Sequence, residues 1–215
     1  MMNGSLAAVL QTTLHDRQLL SHPFYRRWEA GQLTRDELTL YAEQYRYFEE
    51  MLPLFLERLA NQLPEGPARN AVLENLDDEV APPSHLDLFE QFAQFYEAAF
   101  APISPAMKSL VDSYFGLLQK SPAASLAGLW AYESQGARIA DSKAQGLIEH
   151  YGAPSDAVAF WSAHGGVEDD HARWTLEALD GINPDPLEAE AAARLIGGAW
   201  WEFLDERDLV SSQRG

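Results

Sequence analysis

The residue types best suited to chemistry lie in the amphipathic segment 156–179, which has the periodicity of a helix. His164, Glu168 and His171 are spaced i, i+4 and i+7 there. At about 100° per residue, these positions lie within roughly 60° of one another. Imidazole nitrogens and a carboxylate oxygen are common ligands of first-row transition metals. The spacing therefore predicts part of a metal site, with a solvated acidic face carrying two incidental histidines as the alternative.

Three more candidate ligands occur elsewhere in the chain. Glu79 ends one predicted helix and His85 begins the next, and the intervening Pro82-Pro83 lets both turn inward, although both could equally lie on the surface. Glu133 lies in the almost wholly apolar run 126–135, where a carboxylate is costly to bury unless it is paired or metal-bound. The six candidates comprise three carboxylates and three imidazoles, which suffice for two metal ions with open positions for dioxygen or substrate.

The elements that must position these residues are helices. Proline, glycine and capping residues divide the chain into segments with helical periodicity, which predicts an all-α fold of roughly eight helices. The predicted segments run from about 5 to 20, from 23 through 28 with an end at Gly31, then 34–62, 65–80, 84–100, 104–119, 121–151, 156–179 and 186–209. A ferritin-like site would need two Glu-x-x-His pairs, and this chain has one.

Composition limits the classes of function. The 215 residues, 47% of them hydrophobic, are enough for one substantial core, so we expect a single domain over 1–215. The net charge of −18 argues against nucleic acid and anionic membranes as partners. No apolar run is long enough to span a bilayer, which makes a cytoplasmic protein the default expectation. Because there is no cysteine, any metal must be held by His, Asp and Glu.

Several stretches carry a family resemblance over about residues 15–205. They are His22-Pro-Phe-Tyr-Arg-Arg-Trp28, Leu33-Thr-Arg-Asp-Glu-Leu-Thr-Leu-Tyr41-Ala-Glu-Gln-Tyr45, Asn75-Leu-Asp-Asp-Glu79, His85-Leu-Asp-Leu-Phe89, Tyr132-Glu-Ser-Gln135, Ala137-Arg-Ile-Ala140 and the His164/Glu168/His171 spacing. The sequence resembles the haem-oxygenase-like diiron oxidases, within them the p-aminobenzoate-forming group of the Chlamydia protein associating with death domains. TenA-like and PqqC-like proteins share the fold.

The resemblance implies a haem-oxygenase-like bundle of seven to eight helices, often a homodimer. It implies two iron ions, or iron plus manganese, held by the six candidate ligands, with dioxygen as co-substrate. It also implies that p-aminobenzoate for folate is made from one of the protein's own tyrosines. By position that tyrosine is Tyr25, with Tyr41 close to the site and Lys143 as the proposed nitrogen source.

Alternatives remain open at this point. Tyr25 and Tyr41 could be packing aromatics, and Lys143, one of three lysines, could be a surface residue. Lys143 lies ten helical residues after Glu133, a rise of about 15 Å, so its amine reaches a metal there only by folding back. The substrate could instead be an external amino acid or fatty acid. A further hypothesis is that the protein has the same fold but binds no metal and acts as an interaction protein.

Overall fold

The computed structural model describes residues 5–212, except for the side chains of 166–169 and 210–212. Within this part the chain forms nine α-helices and no strand, seven of them eleven residues or longer, so the all-α prediction is confirmed. The helices are α1 Leu6–Thr13, α2 Pro23–Glu29, α3 Arg35–Gln62, α4 Pro67–Val80, α5 His85–Phe95, α6 Pro105–Leu118, α7 Pro122–His150, α8 Ser155–Gly181 and α9 Pro186–Ser212. None of these helices is both long and apolar enough to cross a bilayer.

Two predicted boundaries are wrong. The first predicted helix, 5–20, stops at Thr13 and gives way to two 3-10 turns, His15–Arg17 and Leu19–Ser21. The helix predicted to reach residue 100 ends at Phe95. Glu97 there adopts a positive φ of 55°, and the backbone amide of Ala98 bonds back to the carbonyl of Ala93, which is a helix-ending geometry.

The helix starts follow the capping residues in the sequence. The side chain of Thr34 accepts a hydrogen bond from the backbone amide of Glu37. The carboxylate of Glu37 in turn accepts one from the backbone amide of Thr34, so the two residues form a capping box at the start of α3. Ser84 and Asp87 form the same motif at α5. The second box fixes His85 as the first residue of its helix, so the direction of its side chain is set by the cap.

Helix α7 is the central element of the bundle. It packs most extensively against α8 and α9, and most of its residues from Ala123 to Leu147 are buried. Both Glu133 and Lys143 lie on it. Helix α2 can approach α7 closely because of Gly146, where an added Cβ would lie 2.9 Å from Cδ1 of Trp28. The indole of Trp28 donates a hydrogen bond to the carbonyl of Lys143 at 3.3 Å, which fixes α2 against this part of α7.

Candidate metal centre

Glu79, His85 and His164 converge on one buried point. Each offers a ligand atom within 4.8 Å of the others. The residues come from α4, α5 and α8, and the connection through Pro82-Pro83 lets Glu79 and His85 face each other, as predicted. Nδ1 of His85 donates to Oε2 of Glu79 at 2.8 Å, and the rings of His85 and His164 lie 4.2 Å apart. We call these three residues the metal cluster.

Hydrogen bonds orient the imidazoles of the metal cluster. Nδ1 of His164 donates to the carbonyl of Phe160 at 2.9 Å, so Nε2 carries the lone pair in the neutral ring. Burial, with the neighbouring His85 charge, lowers the pKa of His164 to about 4. The ring is therefore neutral near pH 7, which is the form that binds metals. Burial by itself would raise the pKa of Glu79, but the bond from His85 and the imidazole charges hold it below its ordinary value.

His171 lies two turns after His164 on α8 and is 1% exposed. Its Nε2 donates to Oδ2 of Asp78 at 3.0 Å, which leaves Nδ1 as the nitrogen with the lone pair. A carboxylate on the far nitrogen of a histidine is the usual arrangement around a metal-binding imidazole, because it fixes the tautomer and the ring orientation. The third candidate histidine therefore carries the contact expected of a ligand.

Glu133 is 6% exposed, and donors hold both of its carboxylate oxygens. Nδ2 of Asn75 donates to Oε1 at 2.5 Å, and the hydroxyl of Thr175 donates to Oε2 at 2.6 Å. Burial raises the pKa of this carboxyl group above its ordinary value. His171 acts to lower this pKa and Glu79 acts to raise it. Neither Glu133 nor His171 belongs to the metal cluster, whose three ligand atoms lie within 4.8 Å of one another. Glu168, the remaining candidate, has its side chain outside the described residues.

The donor set suits iron. Neutral imidazole nitrogens and carboxylate oxygens are the ligands used by first-row metals such as iron. A cation would also compensate the buried carboxylates of Glu79 on α4 and Glu133 on α7, because the charge of Glu79 raises the cost of a charge on Glu133. The residues present therefore fit a metal centre.

Tyr25, Tyr41 and Lys143 form a second buried group, which we call the tyrosine–lysine cluster. The hydroxyls of Tyr25 and Tyr41 lie 3.2 Å apart, and Nζ of Lys143 donates to the hydroxyl of Tyr41 at 2.6 Å. Lys143 is 1% exposed, so the surface alternative is wrong. Burial lowers its pKa well below the ordinary value and raises the pKa of both tyrosines.

Aromatic rings fill the space between the two clusters. The ring centres of Phe160 and His164 lie 4.1 Å apart, and the ring centre of the adjacent Trp161 lies 4.0 Å from Nζ of Lys143. Tyr45 contacts both of these rings and stacks on Tyr41 at 5.2 Å. The amine of Lys143 is thus directed toward tyrosines, and rings separate it from the metal cluster.

Three buried polar residues at the site were not predicted from the sequence. Asn75 and Thr175 hold Glu133, and Glu49 is a 2% exposed carboxylate on α3. Asn75 and Thr175 are small polar residues in amphipathic helices, and such residues carry no signal of their own. Glu49 did carry a signal in the sequence, because it follows Tyr41 and Tyr45 at intervals of four residues and continues their buried face of the helix.

Comparison with known proteins agrees with this geometry. Residues 39–204 match the family described as iron-containing redox enzymes. The 4-aminobenzoate synthase of Chlamydia muridarum is 30% identical over 206 residues, covering 91% of this chain and 87% of that protein. The 4-aminobenzoate synthase of Nitrosomonas europaea is 32% identical over 225 residues, covering 95% and 92%.

Solved structures show the same fold. A domain of unknown function with a haem-oxygenase-like fold from Shewanella denitrificans superposes with a TM-score of 0.77 at 13% identity, over 96% of this chain and 93% of the other. The family match covers more than half of the chain, and its description names iron, for which the buried imidazoles and carboxylates are suitable ligands. The chain therefore belongs to the iron-containing redox enzyme family and is an oxidoreductase with a haem-oxygenase-like fold.

Proposed function

We propose that this enzyme is a dinuclear-metal, dioxygen-dependent oxidase that forms p-aminobenzoate from its own Tyr25. Relatives at 30% and 32% identity are named 4-aminobenzoate synthases, which supports the product. The observation that carries the assignment is the placement of Lys143. Its amine is buried against Tyr25 and Tyr41, which is where a nitrogen donor to a tyrosine ring is needed.

Six residues would hold the metals. They are Glu79, His85, Glu133, His164, Glu168 and His171. Two iron ions, or iron plus manganese, would supply the oxidising power by passing electrons to dioxygen. The contacts of His164 with the carbonyl of Phe160, of His171 with Asp78 and of Glu133 with Thr175 support this set, because each orients a candidate ligand side chain.

The tyrosine–lysine cluster places both tyrosines against the amine. Nζ of Lys143 lies 4.5 Å from the ring centre of Tyr25 and 4.9 Å from that of Tyr41, and it donates to the hydroxyl of Tyr41 at 2.6 Å. Approach over the ring is the geometry that a bond between nitrogen and a ring carbon requires, and both rings offer it. We propose Tyr25 as the tyrosine consumed, from its position in the family resemblance, and Tyr41 as the hydrogen-bond partner that holds the amine in place.

The overall change fixes what this chain must provide. The phenol oxygen of Tyr25 leaves as water and is replaced by nitrogen from Lys143, whose Cε–Nζ bond is broken. The Cα–Cβ bond of Tyr25 is also broken, and Cβ is oxidised to the carboxyl carbon of the product with dioxygen as the oxidant. Only a neutral amine has the lone pair for the new carbon–nitrogen bond, and burial lowers the pKa of Lys143 in that direction. The surrounding rings exclude water, which would compete with the amine for an oxidised ring.

Isotope labelling tests this function. Protein with ring-¹³C tyrosine and ε-¹⁵N lysine, given iron(II), reductant and oxygen, should release at most one p-aminobenzoate per chain carrying both labels. Peptide mass spectrometry should show loss of the Tyr25 side chain. Tyr25→Phe should release no product while keeping its metals, because the exchange conserves most of the packing volume.

Matched variants serve as controls. Tyr47→Phe removes a hydroxyl that donates to the carbonyl of Ala101, away from both clusters, and should leave product formation unchanged. Lys120→Arg alters an exposed lysine and should do the same, whereas Lys143→Arg should release no product. Unlabelled product with sustained turnover would show that the substrate comes from outside, and full activity of Tyr25→Phe would show that this tyrosine only packs.

A further inference from the structure

Gly146 lies in the interior of α7, where a glycine costs helix stability relative to alanine. Its surroundings leave no room for a side chain. A Cβ built on Gly146 would lie 2.9 Å from Cδ1 of Trp28 and 3.3 Å from Nε1 of the same indole, and carbon atoms of real side chains do not approach as closely as 2.9 Å. The same Cβ would lie 3.2 Å from the backbone carbonyl oxygen of Trp28. An alanine here would therefore push against both the indole and the backbone of α2.

This contact lies beside the tyrosine–lysine cluster because of helical spacing. On α2, Tyr25 comes three residues before Trp28, and on α7, Lys143 comes three residues before Gly146. Residues three apart are neighbours on one face of a helix. The two faces meet, because Nζ of Lys143 lies 4.5 Å from the ring centre of Tyr25 and 5.6 Å from that of Trp28. The contact at Gly146 is thus one turn away from the contact between ring and amine.

Trp28 is held on several sides, so its indole cannot turn away freely. The indole N–H donates to the carbonyl of Lys143 at 3.3 Å, and the backbone carbonyl of Trp28 accepts from the hydroxyl of Tyr151 at 3.3 Å. The ring centres of Phe92 and Trp161 each lie 6.1 Å from that of Trp28. Because protein interiors are close-packed and transmit strain, a displaced indole displaces the short helix that carries it.

We propose that Gly146 is a positioning residue for the proposed reaction. By letting Trp28 lie directly against α7, it sets the distance between the ring of Tyr25 and the amine of Lys143. It touches neither group and acts through Trp28 and α2. The inference rests on the proposed function for its meaning, because this distance matters to the chemistry only if the amine nitrogen is transferred to that ring. A misplacement of about 1 Å can slow such a reaction about 100-fold.

Nuclear Overhauser contacts in the metal-free protein test the geometry. The chain has three lysines, and Lys108 and Lys120 are exposed, so ε-¹³C-lysine labelling gives one buried signal, assigned by its loss in Lys143→Met. Wild-type protein should show contacts between this methylene group and the ring protons of Tyr25, which we call the ring–amine contacts. Gly146→Ala should weaken them, and unchanged ring–amine contacts in folded Gly146→Ala overturn the proposal.

The rate of product formation tests the consequence for the reaction. With iron(II), reductant and oxygen, iron-loaded Gly146→Ala should form product about 10–100-fold more slowly than wild type, because the ring and the amine are no longer in place. The amount of iron bound per chain should stay at the wild-type value. Gly146 comes a rise of about 20 Å after Glu133 on α7, so the substitution is remote from that candidate ligand.

Two other glycines separate positioning from stability. Gly128 lies on the same helix about 27 Å from Gly146, and a Cβ added there would lie 2.3 Å from Cδ1 of Leu117. Gly128→Ala should lower Tm through this overpacking but leave the ring–amine contacts and the rate per iron-loaded chain unchanged. At Gly198, inside α9, an added Cβ meets no other described element within 4 Å, so Gly198→Ala should change neither measurement. An equal loss of rate in Gly128→Ala and Gly146→Ala overturns the proposal.

A second substitution identifies the atoms responsible. Trp28→Phe removes the five-membered ring that contains Cδ1 and Nε1, the two indole atoms nearest the added methyl group. In Gly146→Ala/Trp28→Phe, the ring–amine contacts and the rate should return toward those of Trp28→Phe alone. This double variant also decides the question if Gly146→Ala does not fold. A double variant that does not regain the contacts, because it fails to fold or because α2 stays displaced, overturns the proposal.

Failure of this inference and failure of the proposed function give different results. The ring–amine contacts are measured without iron and do not depend on product formation. If Tyr25 is not the tyrosine consumed, Gly146→Ala weakens the contacts but forms product at the wild-type rate. If Gly146 is not a positioning residue, the contacts and the rate both stay at their wild-type values, while the product still carries the ring and amine labels.

Discussion

Thr175→Val tests whether Glu133 is held for a metal or for the fold. Thr175 is 3% exposed, and its hydroxyl donates to Oε2 of Glu133 at 2.6 Å. Valine keeps nearly the same shape but has no hydroxyl, so the substitution removes one hydrogen bond with little change in packing. Asn75 still holds the other oxygen at 2.5 Å, which keeps the carboxylate in the site.

The magnitude follows from the character of this bond. A buried hydrogen bond to a charged group contributes about 1.5–3 kcal/mol, and a bond between neutral groups about 0.5–1.5 kcal/mol. Because burial raises the pKa of Glu133, the carboxyl group lies between these limits. We expect the free energy of unfolding of metal-free protein to fall by about 2 kcal/mol, which lowers Tm by roughly 4–8 °C for a chain of this size. Iron(II) affinity should fall about 10–100-fold, as is usual when a contact that orients a ligand is lost.

Two assays give the answer. Urea unfolding of the metal-free protein measures stability, and anaerobic competition with a chromophoric chelator measures iron(II) affinity. Thr39→Val is the matched control, because this helical threonine bonds to the carbonyls of Arg35 and Tyr96, away from the metal cluster. It should cost stability and leave iron affinity unchanged. Lost stability with unchanged iron affinity in Thr175→Val would refute the reasoning and make Glu133 a structural residue.

Two further predictions concern histidines. Asp78→Asn should weaken iron binding about 10–100-fold, because His171 loses its orienting carboxylate. The free energy of unfolding of the metal-free protein should stay within about 1 kcal/mol of wild type, because Asp78 is half-exposed, and the same two assays measure both quantities. His22, buried at the start of α2, has its pKa lowered by burial despite its bond to Asp205. Because the folded protein binds the His22 proton less tightly than the unfolded chain does, protonation at low pH favours unfolding. The stability advantage of wild type over His22→Asn should therefore be full above about pH 6.5 and shrink as the pH falls. A pH-independent difference between the two proteins in urea unfolding would contradict this prediction.

The sequence predicted most of the helices and the approach of Glu79 to His85, and the reasons can be identified. Capping boxes at Thr34 and Ser84 are local, so the starts of α3 and α5 could be predicted. The end of α5 depends on the positive φ of Glu97 and on contacts beyond it, which no local pattern specifies. The convergence of Glu79 and His85 could be expected from the proline break. The meeting of both with His164 depends on how α4, α5 and α8 pack, which spacing alone does not determine.

Lys143 shows the same limit at the level of one side chain. The rise of about 15 Å along α7 correctly separates its Cα from Glu133. Helical geometry could not indicate that the side chain is buried, because the rings around it come from α2, α3 and α8, which are distant in sequence. The homodimer and the cytoplasmic location stay predictions.

The separation of the two clusters bears directly on how the enzyme could work. Helix α7 carries Glu133 toward the metal cluster and Lys143 toward the tyrosines, about three turns apart. An amine bound to a metal would lose its lone pair to that metal and could not attack a ring. By directing Nζ to the hydroxyl of Tyr41, with Phe160 and Trp161 between the two groups, the fold keeps the proposed nitrogen donor and the candidate metal ligands apart. In the proposed function, the metal centre and the amine can then act on the same tyrosine without binding each other.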